Sequence, residues 1–321
     1  MSGQGAPDTG GFDPAEPCAL CPRACGAIRA RAPGFCGAGA SMRVALAQLH
    51  HGEEPCLSGP PSGPGGSGAI FFCGCALRCV SCQNHEISFC DNGGDNNSVG
   101  SELTEDGLAA LMLELQLSGA HNINLVTPSH HTPQVRRALI TARANGLALP
   151  VVWNSSAYES VAALQSLEGL VDIYLPDFKY GLAEDAAEFS CAGDYPRRAL
   201  ESIREMMEQV GAGLDARDGI ALKGLLVRHL VLPGRKENSL AVLRLIAKHL
   251  SKAVPVSIMS QYTPMPFSEG HPCLGRRVTE EEYADIVEQA LDMGFEEIYT
   301  QEVDDRALNP DFAQEQPFRW A

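Results

Sequence analysis

The sequence predicts an α/β protein built on a parallel sheet, with six strand–helix units wound as a partial (β/α)6 barrel behind a cysteine-rich N-terminal extension. The first observation is a series of short apolar, β-branched runs at 69–72, 123–126, 150–153, 171–175, 225–232, 254–259 and, shorter, 297–300. Each is apolar at consecutive positions, the pattern of strands covered on both faces. The second is that helical patterns fill the gaps, which makes right-handed βαβ units and a parallel sheet. The third is size: 321 residues, 45% of them apolar, suffice for one catalytic-size domain with smaller decorations. An open doubly wound sheet produces the same alternation, so periodicity leaves both arrangements standing. In either, ligands sit at the carboxyl ends of the strands.

Taken in chain order, residues 1–17 are rich in Gly, Pro and Asp and read as disordered. A cysteine-rich segment, 18–67, runs into LSGPPSGPGGSG (57–68), a linker or irregular loop. The barrel is expected over 68–305, with a tail at 306–321. Inside it, DNGGDNNSVG (91–100) is a polar break without apolar period. Thr104 reads as a helix N-cap, with Glu105 and Asp106 in the first turn and Gly119 as the stop. Helices are expected over 133–145, 160–167, 196–210, 239–250 and 280–293. The last follows Thr279, with Glu282 three residues on, a capping box.

Composition narrows the function. The formal net charge of −16 repels a phosphate backbone, and no Lys/Arg stripe interleaved with aromatics offsets it, so nucleic acid is not an expected partner. No run of eighteen apolar residues is present, so no membrane span is expected. The N-terminus lacks a basic region followed by an apolar one, so no secretory signal is expected and the cytoplasm is the expected location. Twelve cysteines in a reducing compartment point to metal ligation or thiol chemistry rather than disulfides. They form two groups: Cys18, Cys21, Cys25 and Cys36, then Cys73 to Cys82. Cys56, Cys90, Cys191 and Cys273 are scattered and read as small hydrophobes or idle thiols.

The first strand of the series runs into FFCGCALRCVSCQN (71–84), so a cysteine loop emerges at a carboxyl end. Cys75, Cys79 and Cys82 have the spacing C-x3-C-x2-C. A tetrahedral zinc site would normally add paired cysteines and further ligands. Three cysteines in one loop suit a [4Fe–4S] cluster with one iron left open. Cys73 lies at the strand end, ahead of the spacing, and reads as a bystander.

This loop resembles that of the radical S-adenosylmethionine (SAM) superfamily, whose partial (β/α)6 barrel agrees with the six units. More narrowly, LCPRACG, HGEEP, GAHNINLVTP, VDIYLPDFKY, LLVRHLVLPG and SQYTP, in order around the loop, resemble relatives of pyruvate formate-lyase activating enzyme. The resemblance implies an oxidoreductase that reductively cleaves SAM to methionine and a 5′-deoxyadenosyl radical, which abstracts hydrogen from a substrate. It also implies an electron donor of flavodoxin or ferredoxin type, and a small molecule or a partner protein as substrate. By the same resemblance Asp177 and Lys179 in LPDFK stand where a cation and the SAM carboxylate are contacted. Asn154 and Ser155 match a strand-end pair near that cation, and Arg228 matches a polar contact on the fifth strand.

There are departures. Ser81 replaces the usual aromatic residue before the third cysteine. TPSHH (127–131) replaces the Gly-Gly-Glu that holds the SAM amine, with Thr127 or a nearby carbonyl as the substitute, and this departs from glycyl-radical activases. His130 and His131 read as solvated residues of a polar loop. The N-terminal spacing C-x2-C-x3-C-x10-C suits either zinc or a second iron–sulfur cluster. Because its ligands lie in a different segment, ahead of the linker, the barrel is expected to assemble without this site. The competing class is a non-catalytic iron–sulfur or zinc protein for electron transfer or metal binding, which would have no use for Asp177 and Lys179.

Overall fold

The computed structural model describes residues 12–60, 63–89, 99–304, 309–312, 314 and 316–318. The expected disorder at 1–17 falls largely outside them, as do Cys90, most of the polar break at 91–100 and much of the tail. The strands are β1 (Met42–His50), β2 (Ser67–Phe72), β3 (Ser101–Leu103), β4 (Asn122–Val126), β5 (Val151–Ser155), β6 (Ile173–Pro176), β7 (Leu214–Arg217), β8 (Ile220–Leu225), β9 (Val227–Leu230), β10 (Val256–Met259) and β11 (Ile298–Tyr299). Every apolar run singled out above overlaps at least one of them, and 225–232 is divided between β8 and β9.

Strand order settles the choice between barrel and doubly wound sheet. The larger sheet runs β3-β1-β2-β4-β5-β6-β8-β7 and the smaller one β11-β10-β9. A parallel bridge between Asp177 and Arg228 continues β6 onto β9. From β2 to β11 each parallel strand therefore joins the one before it, with no reversal of order. A doubly wound sheet needs such a reversal, so this is the winding of an incomplete barrel. Its inner strands are covered on both faces: β2, β4, β5, β6 and β10 are buried along their whole length.

The helix signals hold with small shifts. Thr104 caps Glu105–Leu117, its hydroxyl accepting from the Gly107 N–H, and Gly119 follows at φ 88°. Thr279 and Glu282 close the capping box of Glu280–Asp292. Three features are additional. β1 pairs antiparallel with β2 and β3 and joins the chain ahead of the linker to the sheet. Helix Ala183–Ser190 lies after β6. β7 and β8 form an antiparallel hairpin across Asp218 and Gly219, at φ 53° and 81°, the positive values that suit Asp-Gly in a tight turn. The linker is shorter than expected, because Leu57 and Ser58 end a short buried helix and Gly68 is already in β2.

The N-terminal segment packs against the barrel. The Cys75 N–H donates to the Cys36 carbonyl at 3.0 Å. The Arg23 guanidinium reaches the carbonyls of Ala76, Leu77, Ser190 and Cys191, tying the segment to the cysteine loop and to helix Ala183–Ser190.

Candidate active site

The carboxyl ends of the parallel strands open onto a cavity of about 310 Å³. Cys75, Cys79 and Cys82 border it, and so do Thr127, Asn154, Ser155, Asp177, Lys179 and Arg228. Residues in or just after four strands, β4, β5, β6 and β9, and from one loop, running from position 75 to position 228, thus face one space. Ser81 is there too, whereas Cys73 is not: its thiol donates to the Val99 carbonyl at 3.4 Å, away from the cavity.

The cysteine loop is shaped by backbone that few residues adopt. Gly74 has φ 87°, and a Cβ there would lie 2.4 Å from the Cys36 carbonyl oxygen, so only glycine fits. Arg78 follows at φ 50°. The Leu77 N–H donates to the Cys75 sulfur at 3.4 Å. Burial pushes the Cys82 thiol up to about 12, with Cys79 and Cys75 adding to the shift, and burial likewise raises Cys75. Such thiols become thiolates when a cation enters among them and takes the place of their protons. Among the described residues no three His, Cys, Asp or Glu side chains stand close enough to hold a metal ion.

The turn after β6 is held from below. Tyr195 donates its phenol to the Asp177 carbonyl at 2.7 Å and accepts from the Lys179 N–H at 2.9 Å. Lys179 Nζ lies 2.6 Å from Asp177 Oδ2. Burial would lower the Lys179 pKa, but the Asp177 carboxylate and the Cys79 sulfur outweigh it, so the ammonium is held charged above its ordinary range. Asp177 Oδ1, Asn84 Oδ1 and Thr263 Oγ1 are buried, border the cavity and have no hydrogen-bond partner. Such atoms around one cavity call for a partner from outside the chain, whether water, ion or ligand.

Arg228 departs from a free polar contact. Its guanidinium is clasped by Glu54, with Nε to Oε1 at 2.9 Å, and by Glu53, whose other oxygen accepts from Asn124 Nδ2 at 2.9 Å. Burial would raise the Glu54 pKa; the Arg228 charge outweighs it and holds the carboxyl below its ordinary value of 4.5. Both glutamates border the cavity. The sequence held them in HGEEP, but their partner lies 174 positions on, and no local pattern announces it. A glutamine row was also not anticipated: Gln83 of the cysteine loop, Gln261 after β10 and Gln301 after β11 meet in turn at 3.4 Å.

Thr127 stands at the end of β4 with φ 59°, a left-handed conformation costly for a β-branched residue. Ser155 donates to the buried Glu159, which also accepts from Trp153 Nε1 at 2.8 Å, and the Ser155 oxygen accepts from the Ala157 N–H at 3.2 Å. His130 and His131 correct the expectation of solvated residues. They form a buried 3-10 turn, where His130 Nε2 meets the Cys73 carbonyl at 2.7 Å. Burial lowers the His130 pKa to about 4, so the ring is neutral. His130 supports the backbone behind the cysteine loop rather than facing the cavity.

Cys18, Cys21 and Cys36 of the N-terminal segment are buried and Cys25 is exposed, and in this arrangement no three of them stand close enough to hold a metal ion. No disulfide is present among the described cysteines. Cys56 is buried against Leu57 and Val152, Cys191 is exposed at a helix end, and Cys273 is partly exposed.

No family model matches this chain. Three solved structures resemble it over part of its length. SuiB of Streptococcus suis is 10% identical over 71% of this chain and 47% of its own, TM-score 0.48. A domain of pyruvate-formate lyase-activating enzyme from Bacteroides vulgatus is 10% identical over 57% of this chain and all of its own, TM-score 0.41. Methylornithine synthase (PylB) is 14% identical over 76% of this chain and 75% of its own, TM-score 0.47. In sequence, the uncharacterized protein MJ0674 of Methanocaldococcus jannaschii is 30% identical over 289 residues, 88% of this chain and 76% of that protein. On that identity and coverage, the chain belongs to the same family as MJ0674.

Proposed function

We propose that this protein is a radical SAM iron–sulfur enzyme, related in kind to the activating enzymes, acting on a small molecule or a partner protein in the cytoplasm. The observation that carries the reading is the cavity itself. Three loop thiols and the Asp177–Lys179 pair border one space at the carboxyl ends of parallel strands, and orphaned polar atoms surround it. An electron carrier or a metal store has no need of such a space.

The residues fit the group they would hold. Cys75, Cys79 and Cys82 supply three thiolates to a [4Fe–4S] cluster, and Lys179 lends positive charge beside them. Bound there with SAM, the cluster supplies the electron, received from a flavodoxin- or ferredoxin-type donor, that cleaves SAM to methionine and a 5′-deoxyadenosyl radical able to abstract hydrogen. The protein's part is to bind, orient and exclude water. Lys179 offers its ammonium to a carboxylate while Asp177 keeps it charged and aimed. Asn154, Ser155 and Thr127 present polar atoms at neighbouring strand ends. Arg228, neutralised by Glu53 and Glu54, forms a rigid polar wall rather than a mobile hand.

Iron and sulfide content after anaerobic reconstitution tests the ligand set. Replacing Cys75, Cys79 or Cys82 with Ala will abolish the SAM-responsive cluster, and Cys73→Ala will leave it in place. Loss of that cluster in Cys73→Ala alone, with the fold intact, would overturn the assignment of the three ligands.

A further inference from the structure

The segment from residue 12 to residue 41 contains turns and isolated bridges but no helix or strand. What it buries is small: the cluster at its heart is Cys21, Cys36 and Ala38 against Ala76 of the cysteine loop. Sulfurs and methyls of this size provide little apolar burial to offset the cost of ordering thirty residues. Some other tie must hold the segment to one shape.

The backbone points to what that tie is. Cys25-Gly26-Ala27 and Cys36-Gly37-Ala38 form the same turn twice, with the glycines at φ 65° and 81°. Gly34 lies between two of the sulfurs: a Cβ there would stand 3.3 Å from the Cys25 sulfur and 3.6 Å from that of Cys36.

Charge points the same way. Arg29 is only 4% exposed, and its guanidinium reaches the His130 carbonyl at 2.7 Å and the Cys36 sulfur at 3.8 Å. Its Nε has no partner, and among the described residues no carboxylate pairs with it. A buried guanidinium without a counter-anion is strongly disfavoured. Four thiolates around a divalent metal carry the net negative charge that would match it.

We propose that Cys18, Cys21, Cys25 and Cys36 bind a thiophilic metal centre as four thiolates, separate from the barrel-mouth site and braced against the loop that carries Cys75. The shared chemistry is tetrathiolate ligation, and the metal source is either zinc alone or iron with sulfide.

The test uses the full chain with Cys75, Cys79 and Cys82 all changed to Ala, which removes the barrel-mouth site and leaves this one. Loaded separately with zinc and with iron plus sulfide, it is expected to retain about one centre per chain after desalting, and the species retained identifies the source. Alkylation mapped by mass spectrometry will find Cys18, Cys21, Cys25 and Cys36 protected together, and exposed together after chelation. The same alkylation map on the loaded and chelated parent protein gives a measure independent of the variant's folding. Retention of neither metal, with the four thiols alkylating at equal rates before and after chelation in the parent, would overturn the proposal. Failure of SAM chemistry at the barrel mouth would leave both readouts unchanged.

Discussion

Two groups of cysteines lie in contact in this molecule, and they are held in place by different means. The loop of Cys75, Cys79 and Cys82 extends from β2, a strand buried at every position, and returns through the short helix His85–Ser88. Its shape is imposed by a sheet that would fold without it. The segment of Cys18, Cys21, Cys25 and Cys36 has no regular element of its own, and its interior consists of the cysteines themselves. In the first region the fold positions the ligands. In the second, on the reading proposed above, the ligands and their metal create the fold. On the two readings proposed above, similar spacing of one residue type would serve a reactive site in one place and a structural tie in the other.

The comparison can be broken at the barrel's own ion pairs. Arg228 is closed in by Glu53 and Glu54, and removing it leaves two buried carboxylates without their counter-charge. Arg228→Met is expected to cost about 3–5 kcal/mol in denaturant unfolding. The same pair sets an acid limb. The Glu54 carboxyl is held below its ordinary 4.5 in the folded protein. Its contribution to stability is therefore whole above about that pH and is lost as the pH falls through the lower, folded value. Unfolding curves taken down from pH 5 will show this loss in the parent and a shallower one in Arg228→Met. An Arg228→Met variant as stable as the parent would show that these pairs do not hold the barrel mouth.

A smaller effect sharpens the contrast from the ligand's side. Lys179 touches no expected iron ligand through a bond, so Lys179→Met will keep the cluster's absorbance. It gives up a charge-assisted contact worth roughly 1.5–3 kcal/mol, so SAM binding is expected to weaken about ten- to a hundredfold. Asp177→Ala acts through Lys179 and will cost less. Equilibrium titration of SAM into the reconstituted variants measures both, and unchanged affinity in Lys179→Met would remove this residue from the site.

Much of the barrel was legible because its signals are local. Apolar runs, the Thr104 and Thr279 caps and the cysteine spacing can each be read within a dozen residues. The antiparallel strand β1 was not, since it is a half-exposed strand in a stretch dominated by cysteine, glycine and proline. The Asp218-Gly219 hairpin carried a signal that the expectations above omit. At the site, strand-end residues were legible by position, because parallel strands bring their carboxyl ends to one mouth. The Glu53–Glu54–Arg228 cluster and the glutamine row were not, for they join parts of the chain that meet only after folding. His130 and His131 were misread for the same reason: polar in sequence, they are enclosed by the segment that Arg29 fastens over them.

The central claim is that the barrel mouth carries out reductive cleavage of SAM. The direct measurement is formation of 5′-deoxyadenosine and methionine from SAM by the anaerobically reconstituted protein under a strong one-electron reductant. The account predicts both products from the parent and neither from Cys79→Ala, whose thiolate is one of the three expected ligands. A parent that holds a reducible loop cluster yet binds no SAM and forms no 5′-deoxyadenosine would contradict it.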